Sequence, residues 1–153
     1  MTGALPPSPG FRVDGQRALV TGAGRGIGLA AAAALARAGA HVTLAARSEA
    51  QLIEARDLIR AEGGACDHLV LDVTDSAAVT RSLGALAPFQ ILVNNAGLNR
   101  PRPLVEVEDE DIDAVLDLNV KATLYVTRAV ARGLVEAGPV SYTHLTLPTI
   151  LLV

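Results

Sequence analysis

Apolar and polar positions along this chain fall into a repeating block. Each block has a short, nearly continuous apolar run, then a glycine or capping residue, then apolar positions three and four apart. The first run, Arg17 to Thr21, predicts a strand covered on both faces, as in a parallel sheet. Alanine-rich Gly26 to Ala38 follows as a helix able to sit close to a sheet, and Gly39 stands where a left-handed terminating residue belongs. His41 to Ala46 predicts the second strand, with His41 a surface residue at its start. Ser48 and Gln51 have capping-box spacing, and Leu52, Ala55, Leu58 and Ile59 carry a helical stripe through Arg60, stopped by Gly63 and Gly64. His68 to Val73 predicts a third strand. Asp75 suits the N-cap of a short helix faced by Val79, Leu83 and Leu86 and ended by Pro88. Phe89 to Val93 predicts the fourth strand. Leu98 to Leu104 reads as a loop in which Arg100 and Arg102 are solvated, and acidic Glu108 to Asp113 opens a long helix reaching about Ala137. Strand–helix alternation of this kind predicts a doubly wound, Rossmann-like α/β fold with strands in the order 3-2-1-4 and helices on both faces.

The candidate chemistry sits in the first block. Val20 to Leu29 reads Val-Thr-Gly-Ala-Gly-Arg-Gly-Ile-Gly-Leu, between a strand and a helix. A glycine turn there lets backbone N–H groups approach a pyrophosphate, and the helix start directs its dipole at the anion. The spacing Thr21-Gly22-x-x-x-Gly26-x-Gly28, followed in order by Asn94-Asn95-Ala96-Gly97 and by Asn119 within Leu-Asn-Val, resembles the short-chain dehydrogenase/reductase family. The resemblance runs from about Val13 to Gly138. It implies that Gly22, Arg25, Gly26, Ile27, Gly28, Arg47, Asp72, Val73, Asn94, Ala96 and Gly97 line a dinucleotide. It further implies that Asn119 bends the long helix and holds a water in a proton relay. Arg47 carries a reading of its own. It lies just past the second strand, where an acidic residue would bind the adenosine ribose; Ala46 is there instead, so a guanidinium faces a 2′-phosphate with no opposing carboxylate. NADP is therefore the expected cofactor, with NAD as the other possibility. Two functions stand: an oxidoreductase moving hydride between NADP(H) and a carbonyl or secondary alcohol, or a non-catalytic dinucleotide-binding module.

Composition narrows this further. Half the residues are hydrophobic, charged residues make up 19% and the net charge is −3, with no basic patch for nucleic acid. No stretch approaches a membrane span, and no metal site is expected. Cys66, the only cysteine, excludes a disulfide framework, is expected as a small core or edge residue and suits a cytoplasmic location. Residues 1–12 read as a loose proline-containing arm and 13–138 as a partial NAD(P)-binding domain, truncated after the fourth helix. In residues 139–153, the ten from Val140 to Thr149 resemble a translated sequencing adapter, so this tail is expected to be non-native. The family's Tyr-x-x-x-Lys does not occur: Tyr142 is followed four residues on by Thr146. The chain is therefore expected to be inactive alone, and a full-length parent to be a homo-oligomer acting on a small carbonyl or alcohol.

Overall fold

The computed structural model describes residues 10–138. Four parallel strands, β1 (Arg17–Thr21), β2 (His41–Ala46), β3 (Cys66–Val70) and β4 (Ile91–Val93), form one sheet in the order β3-β2-β1-β4. Helices α1 (Gly26–Arg37), α2 (Glu49–Ala61) and α3 (Ser76–Gly84) connect them in turn. After β4 come a 3₁₀ turn (Leu104–Glu106), α4 (Asp109–Leu116), a π-helical turn (Asp117–Ala122) and α5 (Thr123–Glu136). Backbone angles stay helical across both junctions of the last three, so they form the single long fourth helix expected of the sequence. This is the doubly wound Rossmann-like arrangement.

Two apolar clusters explain the continuous apolar strands. Ala18, Val20, Val42 and Leu44 point to one face, where Ala32 and Ala36 of α1 and Leu52, Ala55 and Ile59 of α2 pack. Leu19 and Ala45 point to the other, against Val79 and Leu83 of α3 and Val126 and Val130 of α5. Alternate residues of β1 and β2 thus serve different layers, and burial on both faces favours apolar residues throughout. Leu58, read as part of the α2 stripe, is more than half exposed; its position turns it away from the sheet.

Glycine ends the first two helices as expected. Gly39 (φ +101°) follows α1, with Ala40 N–H donating to Leu35 O and Gly39 N–H to Ala36 O, both at 3.0 Å. Gly63 (φ +84°) and Gly64 repeat the pattern on Arg60 and Ile59. These paired bonds satisfy carbonyls that a helix end leaves open. Asp75 caps α3 by accepting from Ala77 N and Ala78 N, each at 2.9 Å. Ser48 does occupy the N-cap of α2, but its side chain makes no capping bond, so the capping box does not form; Gln51 lies against Gly24 of the glycine turn instead.

The bounds of two strands differ from expectation. β3 starts at Cys66 and ends at Val70, because pairing begins immediately after Gly64, with Val42 N–H donating to Ala65 O. Leu71 and Val73 are buried in the crossover that follows. β4 pairs only over Ile91–Val93, although Phe89 is buried ahead of it. Cys66 is a core residue, and burial pushes its thiol up to about 11.

Candidate cofactor and active site

The carboxyl ends of β1, β2 and β4 converge on the glycine turn Gly22–Gly28. Three observations show what it can hold. Gly22 adopts φ +63°, and a Cβ there would stand 2.9 Å from Ala96 Cα. A Cβ on Gly28 would stand 2.5 Å from both Asn95 Nδ2 and Gly22 O. These two glycines are required by close packing of the turn on the segment after β4. Gly26 differs: at φ +59° a Cβ would meet nothing within 4 Å, so its backbone borders open space. The twelve-residue α1 begins here with Arg25 at the N-cap and no side-chain cap bond. Its first N–H groups, and the positive end of its dipole, are thus presented outward at a place clear of side chains. That is the chemistry of a phosphate-binding corner, and the residues present fit a dinucleotide pyrophosphate.

The corner is tied to β4 by residues whose individual roles the spacing did not reveal. The buried Thr21 hydroxyl donates to Val93 O at 3.4 Å and accepts from Asn95 N (3.0 Å) and Ala96 N (3.1 Å). Asn95 Nδ2 donates to Thr21 O and Gly22 O, both at 3.1 Å. The Thr-Gly and Asn-Asn-Ala-Gly strings meet because the expected sheet order places β4 beside β1. Asn94 turns the other way and donates from Nδ2 to Thr127 Oγ1 of α5 at 3.0 Å.

The remaining expected residues divide by exposure. Arg25, Gly26 and Ile27 are exposed around the α1 start, Ile27 to 67%. Arg47 is exposed beyond β2, and its charge helps hold the Asp72 carboxyl below its ordinary range. The larger cause is Thr74, whose hydroxyl and N–H both donate to Asp72 Oδ1, at 2.7 and 2.9 Å. The structure therefore brings Arg47 and Asp72 into one electrostatic neighbourhood at the carboxyl ends of β2 and β3. Val73 is buried.

Asn119 sits in the π-helical turn. Its side chain accepts from Leu98 N and donates to Leu98 O, each at 3.0 Å, and a Cβ on Gly97 would be 3.2 Å from its Oδ1. Its main-chain carbonyl accepts from Thr123 Oγ1 at 2.9 Å. Asparagine in mid-helix is explained: the widened turn lets the amide face the strand-end segment Gly97–Leu98 and fix it.

Arg100 and Arg102 are not free in solvent as the sequence suggested. Both approach Asp111 of α4, whose residue is 5% exposed: Arg100 NH1 donates to Oδ1 at 2.7 Å, and Arg102 Nε lies 3.1 Å from Oδ2. Arg102 NH1 is also 3.6 Å from Glu108. The Arg100 hydrogen bond and the two positive charges hold the Asp111 carboxyl below its ordinary range.

Fold, glycine corner and strand-end asparagines together define a doubly wound α/β domain with a turn that fits a phosphate group. Residues 16–140 match the short chain dehydrogenase family, and the chain belongs to it. It is 44% identical over 132 residues to gluconate 5-dehydrogenase of Gluconobacter oxydans (strain 621H), covering 84% of this chain and 52% of the relative. It is 42% identical over 134 residues to D-erythrulose reductase of Gallus gallus, covering 88% and 52%. A crystal structure of gluconate 5-dehydrogenase from Burkholderia cenocepacia J2315 in complex with NADP and tartrate superposes with a TM-score of 0.79 at 40% identity, covering 83% of this chain and 51% of that one. The chain thus spans about half the length of the relatives it matches. They are oxidoreductases, and NADP is bound in solved structures of the family.

Proposed function

We propose that this chain is the cofactor-binding half of an NADP-dependent oxidoreductase that moves hydride between nicotinamide and a carbonyl or secondary alcohol. The observation that carries the reading is the uncapped α1 start beside Gly26, at a turn held in shape by Thr21 and Asn95. N–H groups near Gly26, Ile27 and Gly28 would take the pyrophosphate, Arg47 the 2′-phosphate, and Asp72 with the Val73 backbone the adenine side. The backbone from Asn94 to Gly97 would pass beneath the nicotinamide ribose. Bound NADP would supply or accept the hydride.

Asn119 belongs to the catalytic set implied by the family resemblance. Because its side chain is engaged on Leu98, what it offers a proton relay is its main-chain carbonyl, beside the Thr123 hydroxyl. The general acid/base, and the lysine that tunes it, are not among these residues, since no Tyr-x-x-x-Lys occurs in the sequence. The 153-residue chain by itself then binds NADP without turnover, as proton transfer is typically worth 10²–10⁴-fold. The apolar stripe Ile112, Leu116, Val120 and Leu124 along the long helix, each about half exposed, supports association of the whole enzyme with copies of itself. No helix among the described residues is long and apolar enough to cross a membrane.

The test is calorimetric titration of the purified chain with NADP⁺ and NAD⁺, alongside NADPH oxidation with a panel of ketones. Saturable NADP⁺ binding with no turnover is expected. Absence of binding would leave only the fold, and turnover at ordinary enzyme rates would require another acid among these residues.

A further inference from the structure

Gly24 stands between the fingerprint glycines of the phosphate corner and is not one of them. Its backbone is not left-handed either, since φ is positive within this turn only at Gly22 and Gly26. What excludes a side chain there is a contact. A Cβ on Gly24 would stand 3.1 Å from Gln51 Cβ and 3.3 Å from Gln51 Oε1, so the Gln51 side chain lies directly against the turn. Two features fix it in that place. Ala23 N–H donates to Ala45 O at 3.3 Å, which joins the turn to the end of β2. Leu52, next to Gln51, is fully buried, and its N–H donates to Ser48 O at 3.1 Å. The first turn of α2 is thereby anchored beside the phosphate corner, and Arg47 immediately precedes its N-cap. Gln51 is nevertheless exposed, and among the described residues its carboxamide has no hydrogen-bond partner, the capping box with Ser48 not being formed. The charges of this neighbourhood are Arg25 and Arg47, both exposed, with Asp72, which feels the Arg47 charge, and Glu49 in the first turn of α2.

We propose that Gln51 is a further specificity-determining residue for the cofactor: its carboxamide, held against Gly24, donates to the 2′-phosphate of NADP together with Arg47. The proposal rests on the NADP reading above and adds to it a neutral donor. A carboxamide carries two N–H donors, and a hydrogen bond to an ionised acceptor is stronger than one between neutral groups. Gly24 has a part in this, because the missing Cβ is what lets the carboxamide lie over the turn. A carboxylate of the same shape would meet the phosphate as a like charge, so the chemistry of position 51 matters as well as its size.

The experiment is a calorimetric titration of the 153-residue chain and its variants with NADP⁺ and with NAD⁺, at low and at high salt. Gln51→Ala is expected to weaken NADP⁺ roughly tenfold, the size of one hydrogen bond to a charged group, and to lower the preference for NADP⁺ over NAD⁺ by the same factor. Gln51→Glu is expected to weaken NADP⁺ more than Gln51→Ala does, and the difference between the two should narrow at high salt, where the repulsion is screened. Gly24→Ala pushes the carboxamide aside, so it should lower the NADP⁺ preference in the unsubstituted chain and leave it unchanged in Gln51→Ala. A residue that only packs against the turn would give another pattern: equal losses for both cofactors, and the same effect from alanine and glutamate. Either of those results overturns the proposal, as does a Gly24→Ala effect on the preference that persists in Gln51→Ala. Because position 51 is exposed, its substitutions leave the core untouched, and the far-ultraviolet circular dichroism of each variant verifies that it is folded. An unsubstituted chain that binds neither cofactor overturns the NADP reading and this proposal with it, whereas NADP⁺ binding indifferent to Gln51→Ala overturns the proposal alone.

Discussion

Single residues at the glycine corner do different jobs under the same name. Gly28 is locked against Asn95 Nδ2 and Gly22 O, so Gly28→Ala must push apart packed groups, and overpacking of this kind costs about 1–3 kcal/mol. Gly26 has room but a left-handed backbone, where a Cβ costs about 1–2 kcal/mol. Gly28→Ala is therefore expected to lower the melting temperature more than Gly26→Ala, while Gly26→Ala weakens NADP⁺ binding by placing a methyl group at the phosphate corner. Thermal melts and NADP⁺ dissociation constants for the two variants check this, and equal losses of stability would contradict it. At Arg47 the expectation is electrostatic. Charge-assisted hydrogen bonds to phosphate contribute about 1.5–3 kcal/mol, or roughly 10- to 150-fold in affinity. Arg47→Ala is expected to weaken NADP⁺ by that order and leave NAD⁺ nearly unchanged, with both constants measured at one salt concentration. Equal weakening of both would make Arg47 a structural residue.

At the scale of elements, the strongest local signals were read correctly and the cooperative ones were not. β1 and β2 were legible because both faces are buried and apolar character runs on without interruption. Gly39, Gly63 and Asp75 were legible because helix ends have few chemical solutions. The capping box at Ser48 failed although its spacing was right: Gln51 is drawn against the glycine turn, a neighbour that is near only in the folded sheet. The end of β3 was set too late because Leu71 and Val73 look like strand residues and are buried for another reason, in the crossover toward α3. The Arg100–Asp111–Arg102 cluster was invisible, since spacing does not say which loop folds onto which helix. The cap at Asp75 gives a local test. Asp75→Ala removes the acceptor for two N–H groups and is expected to cost about 0.5–2 kcal/mol in denaturant unfolding. A change near zero would mean that solvent satisfies those groups equally well.

At the scale of the whole molecule, the described sheet has two unequal edges. Along β3, Arg60 reaches over from α2 and donates from Nε to Cys66 O at 2.7 Å and from NH2 to Asp67 Oδ1 at 2.8 Å, while His41 meets Asp67 Oδ2 at 2.8 Å. Charged side chains blunt an edge against pairing with another chain. β4 pairs with β1 on one side and has no strand on its other side among the described residues. With the stripe Ile112, Leu116, Val120 and Leu124, this predicts that the 153-residue chain self-associates in solution. Light scattering across a concentration series should show mass rising above that of a monomer. Val120→Glu with Leu124→Glu should reduce it if the helix face is responsible, and a mass unchanged by the pair would assign association to β4.

The ties from Asn95 and Ala96 to Thr21 span 74 and 75 residues of chain. On a ribosome adding about 5–20 residues per second, the first glycine turn therefore waits roughly 4–15 s before the residues that shape it have even been synthesised. Through that interval β1 can pair with β2, but its other edge is open and Gly22 has no Ala96 to rest on. The phosphate corner, encoded near the beginning, is among the last parts able to take its final form. A nascent chain arrested just before Asn94 should then fail to retain NADP⁺, whereas one arrested with Gly138 well clear of the exit tunnel should acquire it.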